Sequence, residues 1–195
     1  KNVLTVFTRL AEAESSVHGC EVNDVHFHEI GSIETLINIV GVSSAIDYFK
    51  PNKIYCMPPP MGSGNVKTSH GILPIPVPVV SEIAMRNQIP LYGGEAFPYG
   101  ELTTPTAIAL ISFFVDRYQQ PACLEVLSIG VGLGKKDLKR SNLLRLYEIE
   151  KSLIEDADKL NSYLYWQELI KQEAWIDDAT PEDISELVNQ LRNAG

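Results

Sequence analysis

The placement of proline and glycine is the feature of this 195-residue sequence that most restricts its fold. Ten of the twelve prolines and six of the thirteen glycines lie between Pro51 and Pro105. The same stretch is rich in Ile, Val, Leu and Met, which flexible linkers lack. Because proline fixes the backbone angle φ, we predict an ordered, loop-rich surface whose prolines hold the backbone around a site.

Helical periodicity flanks this stretch on both sides. The spacing of apolar residues predicts an amphipathic helix over residues 2–18, and Ser32 is a good N-cap for a second helix that ends near Phe49. The second helix is apolar on most sides, so we predict that it is buried. Thr104 caps another apolar helix, which we predict to be buried and to run to about Tyr118. We also predict a helix over 77–87 and strands over 53–57, 89–92, 123–130 and 142–149. Helices and strands that mix without strict βαβ alternation indicate an α+β fold, with a mixed sheet and packed helices.

Charge divides the chain into two parts. Residues 146–195 hold 12 acidic and 4 basic residues, a net of −8, whereas residues 1–145 hold 13 acidic and 12 basic residues, a net of −1. We predict one domain over residues 1–150, a polar linker over 151–170 and the start of a second small α+β domain over 171–195. Since the chain begins at Lys1, we expect it to belong to a longer protein.

The composition argues against several classes of protein. No run of 18 apolar residues is present to form a membrane-spanning helix, and an acidic chain repels the phosphates of nucleic acids. The three cysteines are far apart and form no Cys-x-x-Cys pair. That usage fits a reducing cytoplasm and argues against a disulfide framework or a cysteine-based zinc site.

All four histidines lie in the first 70 residues. His26 and His28 form a His-x-His pair, which on a strand presents two imidazoles on one side and suits Zn, Ni, Cu or Fe. Glu29 beside them could be a ligand, an orienting partner or a general base. His18 and His70 each precede a glycine, which lets the backbone approach a ligand closely. We predict that these four histidines bind metal; the alternative is that they are surface residues without such a role.

A second group of residues suits an anionic ligand. Three glycines lead into Lys135 between two predicted strands, and a glycine turn with basic neighbours can hold a phosphate group. Their spacing is neither that of a P-loop nor that of a Rossmann loop. The candidate substrate- and phosphate-binding residues are Gly62, Ser63, Gly64, Thr104, Thr106, Gly130, Gly132, Gly134 and Lys135. The alternatives are a hairpin turn with solvated charges and simple helix capping by the threonines. Asp177, Asp178 and Glu182 could bind a divalent ion, although a capped, acidic helix start explains them more simply.

Several motifs occur in one order along the chain: LAEAESSVHG, VHFHEIGSIETLINIVG, GSGNVKTSHGILPIPVP, ELTTPTAIA, SIGVGLGKKD with NLLRL, and WIDDATPED. In this order they resemble the LarC-type nickel insertion proteins, roughly over residues 8–148 and 173–195. The sequence departs from that family at Glu34 and Asn38, where Asp is usual, at Ala107, where Gly is usual, and at Val131, where Tyr is usual. The glycine-rich N-terminal segment of the family and nearly all of its C-terminal domain are not in this chain.

The resemblance implies a nickel insertase, a cyclometallase of the lyase class. Such a protein inserts Ni²⁺ into pyridinium-3,5-bisthiocarboxylic acid mononucleotide and hydrolyses CTP with Mg²⁺ or Mn²⁺. The product is the nickel-pincer cofactor, and the recipient is an apo enzyme of the lactate racemase type. Because the CTP-binding domain of the family is not in this sequence, the resemblance also implies that this chain alone need not be active. It leaves homo-oligomer formation open.

Two other functions fit the same residues. A non-catalytic nickel carrier or storage module would use the same histidines. A hydrolase of a phosphorylated ligand, built around the glycine turn, is the weaker alternative.

Overall fold

The computed structural model describes residues 2–25, 32–93, 97–121, 124–138 and 141–150. All of them belong to one compact unit, Lys1–Ala157. The His-x-His pair, Glu29, the predicted linker and the predicted second domain lie outside the described residues, and so does the acidic group at Asp177, Asp178 and Glu182. The proposed domain boundaries therefore stay predictions.

The described residues form four α-helices and one short 3₁₀ helix. The α-helices are α1 (Asn2–His18), α2 (Ile33–Phe49), α3 (Pro78–Arg86) and α4 (Pro105–Phe114), and the 3₁₀ helix is Val22–Asp24. The predicted caps are confirmed, because Ser32 Oγ accepts from the amide of Thr35 and Thr104 Oγ1 from that of Ala107, each at 3.2 Å. Such bonds satisfy amides that lack a partner within the first turn of a helix.

Helix α4 ends four residues before the predicted Tyr118. Beyond it, the amide of Asp116 donates to the carbonyl of Ile54, and the amide of Ile54 donates to Asp116 Oδ2 at 2.8 Å. A parallel bridge between Tyr55 and Arg117 continues this contact. The chain after α4 is therefore extended because it pairs with a distant segment, a contact that the local apolar pattern does not encode.

The core lies where α1, α3 and α4 meet. Its fully buried large side chains are Val6 and Leu10 of α1, Ile39 of α2, Val80 and Ile83 of α3, and Ile108 of α4. Arg9 ties the three packed helices together: its guanidinium donates to Asn87 Oδ1 and to Ser112 Oγ, each at 2.9 Å, and to the Ser112 carbonyl. The same group lies 5.5 Å from the ring centroid of Phe113.

The prediction that α2 is buried is wrong for the described residues. Only one face, formed by Thr35, Ile39 and Ser43, is buried, whereas Ile33 is 76% exposed and Ile37 is 63% exposed. A helix that is apolar on every side can be enclosed only if neighbours cover every side. Among the described elements, α1 and α4 contact α2 and cover that one face.

The described strands form three antiparallel pairs, so the α+β class is confirmed. The pairs are β1 (Gly62–Ser63) with β4 (Gly100–Glu101), β2 (Asn65–Thr68) with β3 (Gly71–Pro74), and β5 (Val126–Leu133) with β6 (Leu143–Ile149). The predicted strands at 53–57 and 89–92 are wrong: each contributes a single bridge, through Tyr55 and Tyr92. Proline removes the donor that a ladder needs, and prolines follow the first segment directly and interrupt the second.

The hairpin β5–β6 corrects the predicted glycine turn. Gly130 and Gly132 lie within β5, opposite Leu146 and Leu144, so only Gly134 belongs to the connection between the strands. The amide of Gly134 donates to the Asn142 carbonyl at 2.9 Å and closes the ladder there. Most apolar side chains of this hairpin are exposed. Within the part of the chain that the structure describes, no helix is both long and apolar enough to cross a membrane.

Candidate metal-binding and anion-binding residues

Two of the four predicted metal-binding histidines lie together. The ring centroids of His18 and His70 are 4.9 Å apart and the ring planes are inclined by 47°. The two residues come from different elements, the last residue of α1 and the loop between β2 and β3. Tertiary structure therefore brings two imidazole donors to one place, as a transition-metal site requires.

The end of α1 fixes the backbone of His18. Gly19 follows with a φ of +63°, and the amide of Cys20 donates to the carbonyl of Ser15 at 3.2 Å. This is the hydrogen bond of a Schellman motif, in which glycine adopts the left-handed conformation that ends the helix. The helix therefore ends directly after His18, at a position that the left-handed glycine defines.

A tight hairpin fixes His70. Thr68 and Gly71 are paired at the end of β2–β3, so only Ser69 and His70 form the connecting loop. Thr68 Oγ1 accepts from the amide of His70 and donates to the carbonyl of Gly71, each at 3.1 Å. A two-residue loop of this kind is the shortest common connection between antiparallel strands, and it leaves its residues little conformational freedom.

Glu14, which the sequence prediction did not include, lies beside the two histidines. Its Oε2 lies 3.4 Å from His18 Nε2, one turn earlier on α1, and only 16% of its side chain is exposed. The contact could have been predicted from the sequence, because a carboxylate four residues before a histidine lies on the same face of a helix. Within the described ranges, no group of three or more His, Cys, Asp or Glu residues is arranged to hold a metal ion.

The predicted anion-binding residues converge in part. Pairing of Gly62 with Glu101 places the Gly-Ser-Gly segment beside the loop before α4, and Lys136 Nζ donates to the Glu101 carbonyl at 3.2 Å. Lys135 Nζ lies 3.8 Å from Glu34 Oε1 at the start of α2, and both side chains are mostly exposed, 94% for Lys135 and 73% for Glu34. Lys136 therefore meets the strand that pairs with the Gly-Ser-Gly segment and Lys135 meets the start of α2, whereas Gly130 and Gly132 are held in the ladder.

The structure gives two glycines of this group a backbone role. Gly62 has a φ of +89°, and a Cβ there would lie 2.0 Å from the carbonyl oxygen of Gly100. Gly64 has a φ of +83°, and a Cβ there would lie 2.0 Å from the ring of Tyr99. Close approach of these segments therefore requires glycine whether or not a ligand binds.

The threonines at the start of α4 act in the fold. Thr104 Oγ1 caps the helix, and the buried Thr103 Oγ1 donates to the Pro60 carbonyl at 2.7 Å. Thr106 is half-buried in the first turn of the helix. The capping interpretation thus accounts for the hydroxyl of Thr104.

The structure perturbs the pKa values of three side chains, Cys56, Tyr118 and Glu82. Burial raises the pKa of the Cys56 thiol. Burial, followed by the nearby Cys56, also raises the pKa of the Tyr118 phenol. A hydrogen bond from Ser16, followed by one from Arg86, lowers the pKa of Glu82, whose Oε1 lies 2.6 Å from Arg86 Nε. Glu82 thus connects α3 with α1.

Taken together, these features define an α+β protein in which an ordered pair of imidazoles lies beside a carboxylate. The sequence profile of the family described as nickel insertion protein matches residues 1–195, and the chain belongs to that family. It is 35% identical to a nickel insertion protein of Picosynechococcus, over 98% of this chain and 44% of the relative. It is 38% identical to one of Geotalea uraniireducens, over 97% of this chain and 46% of the relative.

A third relative carries a more specific name. The pyridinium-3,5-bisthiocarboxylic acid mononucleotide nickel insertion protein of Alkaliphilus metalliredigens is 35% identical, over 97% of this chain and 46% of the relative. The chain thus spans somewhat less than half the length of the curated relatives it matches. No solved structure matches the chain.

Proposed function

We propose that this chain carries the nickel-handling part of a nickel insertase that acts on pyridinium-3,5-bisthiocarboxylic acid mononucleotide. The observation that carries the proposal is the contact between His18 and His70, with ring centroids 4.9 Å apart. Membership of the nickel insertion family supports nickel as the ion, and the name of the Alkaliphilus relative supports the substrate.

A site with few protein donors suits a protein that must give its metal away. Two imidazoles bind Ni²⁺ and leave other coordination positions to the two thiocarboxylate sulfurs of the substrate. Sulfur is the softer ligand, so the ion can pass from nitrogen to sulfur. A closed site with four protein ligands, as in structural zinc sites, would retain the ion instead.

The remaining predicted metal ligands complete this proposal. We assign His26 and His28 a role in nickel handling as well, on the strength of their His-x-His spacing. Formation of the nickel–carbon bond releases a proton from the pyridinium ring, and we assign Glu29 as the base that accepts it.

We assign the phosphate of the mononucleotide to the lysines after β5. Lys135 and Lys136 supply positive charge close to Glu34 and Glu101. The ion pair of Lys135 is exposed, and exposed pairs contribute about 0–1 kcal/mol, so a phosphate can replace Glu34 as its partner at little cost. Gly62, Ser63, Gly64, Thr106 and Gly134 would shape the surface beside it, whereas Gly130 and Gly132 stay within the ladder of β5 and Thr104 caps α4.

CTP dependence and the lyase reaction are proposed for the whole protein. The chain spans somewhat less than half the length of its relatives, and the resemblance implies that CTP and its Mg²⁺ or Mn²⁺ bind mainly in the C-terminal domain of the family. We therefore assign CTP to other parts of the protein and derive no step from it. The recipient of the product would be an apo enzyme of the lactate racemase type, in the cytoplasm.

Calorimetric titration with Ni²⁺ tests the nickel assignment. We expect His18→Ala and His70→Ala each to weaken binding by roughly tenfold or more, which corresponds to at least about 1.4 kcal/mol. Glu12→Gln is the matched control, because Glu12 is an exposed residue of the same helix as His18. Affinity and stoichiometry that stay unchanged in both histidine variants would remove these residues from the nickel site.

A second experiment separates an insertase from a carrier. The full-length protein is supplied with the substrate, CTP and Ni²⁺, and the nickel-pincer nucleotide is measured by mass spectrometry. Formation of this product excludes a pure carrier. Nickel binding without product would instead identify a carrier or storage module.

A further inference from the structure

We infer that Glu14 is a positioning residue that holds the imidazole of His18 in the orientation needed to bind nickel. The inference rests on the proposed function. It starts from the 3.4 Å between Glu14 Oε2 and His18 Nε2. The side chain of Glu14 is 16% exposed and that of His18 is 38% exposed, so the carboxylate is the more buried member of the pair.

A carboxylate at this position selects one form of the neutral imidazole. Only one ring nitrogen of a neutral histidine carries a proton, and the other offers a lone pair. A negative oxygen near Nε2 stabilises the form with the proton on Nε2, which leaves the lone pair on Nδ1. Histidines that bind metals commonly contact a carboxylate through the second nitrogen, and that contact raises the basicity of the ligand.

The geometry of α1 brings the side chains of Glu14 and His18 together. Glu14 and His18 are four residues apart on α1, and such residues share a face of the helix. The left-handed conformation at Gly19 ends the helix directly after His18. The ring centroid of His70 lies 4.9 Å from that of His18. The imidazole of His18 thus contacts a carboxylate of its own helix and a histidine of a hairpin that is remote in sequence.

The test measures whether Glu14 acts through His18. Nickel affinity is determined for Glu14→Ala and Glu14→Gln, each in the wild-type background and in the His18→Ala background. Losing a partner of this kind typically costs about 10- to 100-fold in metal affinity. We therefore expect that loss for Glu14→Ala in the wild type and less than about twofold once His18 is already absent. Glu14→Gln should recover most of the affinity, because its amide oxygen can still accept the Nε2 proton.

Three outcomes would overturn the inference. If Glu14→Ala weakens binding as much without His18 as with it, the carboxylate acts on its own, as a ligand or through folding. If Glu14→Gln weakens nickel binding as much as Glu14→Ala does, Glu14 acts through its negative charge on the metal and not by positioning His18. If His18→Ala itself leaves nickel binding unchanged, the nickel assignment of His18 fails first, which separates that failure from a failure of Glu14 alone. Glu12→Gln, which changes the same charge on an exposed part of α1, should match the wild type throughout.

Discussion

A substitution at Gly62 tests the close approach of β1 and β4, on which the predicted substrate-binding surface depends. Alanine at this position meets two obstacles. The φ of +89° lies in the region that L-residues avoid, which costs about 1–2 kcal/mol. The new Cβ would also lie 2.0 Å from the carbonyl oxygen of Gly100, which belongs to backbone and cannot rotate away.

The second obstacle sets the magnitude. Relieving such a collision requires a shift of the backbone, and overpacking of this kind costs about 1–3 kcal/mol. The shift would also disturb the pairing of Gly62 with Glu101. We therefore expect Gly62→Ala to lower the free energy of unfolding by about 2–5 kcal/mol, a large part of the 5–15 kcal/mol that folded domains typically possess.

Gly71 offers the matched control, and equilibrium unfolding in urea is the assay. Its φ is also positive, at +103°, but a Cβ there would have no neighbour within 4 Å. Gly71→Ala should therefore carry only the conformational cost, about 1–2 kcal/mol. Equal losses of stability in the two variants, within about 0.5 kcal/mol, would refute the role of the collision with Gly100.

Three further substitutions or reactions test single residues of the fold. Arg9→Ala should lower the free energy of unfolding by about 2–3 kcal/mol, because the charged donor to Asn87 and Ser112 is lost. The midpoint of urea unfolding measures this loss. Arg9→Lys should not restore the stability, since lysine lacks the planar guanidinium that bonds both partners. Gly41→Ala should raise the free energy of unfolding by about 0.5–1 kcal/mol in the same assay, because Gly41 is an exposed residue in the middle of α2 and an added Cβ would meet no neighbour within 4 Å. A loss of stability would contradict this expectation. Cys56 should react slowly with iodoacetamide at neutral pH, because burial raises the pKa of its thiol and so lowers the fraction of reactive thiolate. Mass spectrometry under native conditions measures the rate of alkylation. Alkylation as fast as in the unfolded protein would disprove this expectation.

The caps and starts of helices α2 and α4 were predictable because they depend on neighbours in sequence. Ser32 and Thr104 each bond an amide three residues later, so their side chains and positions identify the starts of α2 and α4. The same locality explains why Glu14 could have been recognised from its spacing to His18. The end of α4 was missed because the residues after Val115 form hydrogen bonds with Ile54, which is distant in sequence.

Burial could not be predicted in the same way. The apolar pattern of α2 shows that many of its side chains favour burial, but not how many neighbours cover them, and Ile33 and Ile37 are exposed among the described residues. The glycine run after residue 129 likewise resembled a turn. Its pairing with Leu144 and Leu146 shows that two of its three glycines continue the strand.

The sequence by itself determined the helices, their caps, the α+β class and the family, because each depends on local spacing or on the order of motifs. Only the tertiary structure decided which donors meet. A Schellman motif holds His18, a two-residue hairpin holds His70, and packing of the described elements brings the two rings to 4.9 Å. Contacts between residues so far apart in sequence depend on the course of the whole backbone, which no local pattern specifies.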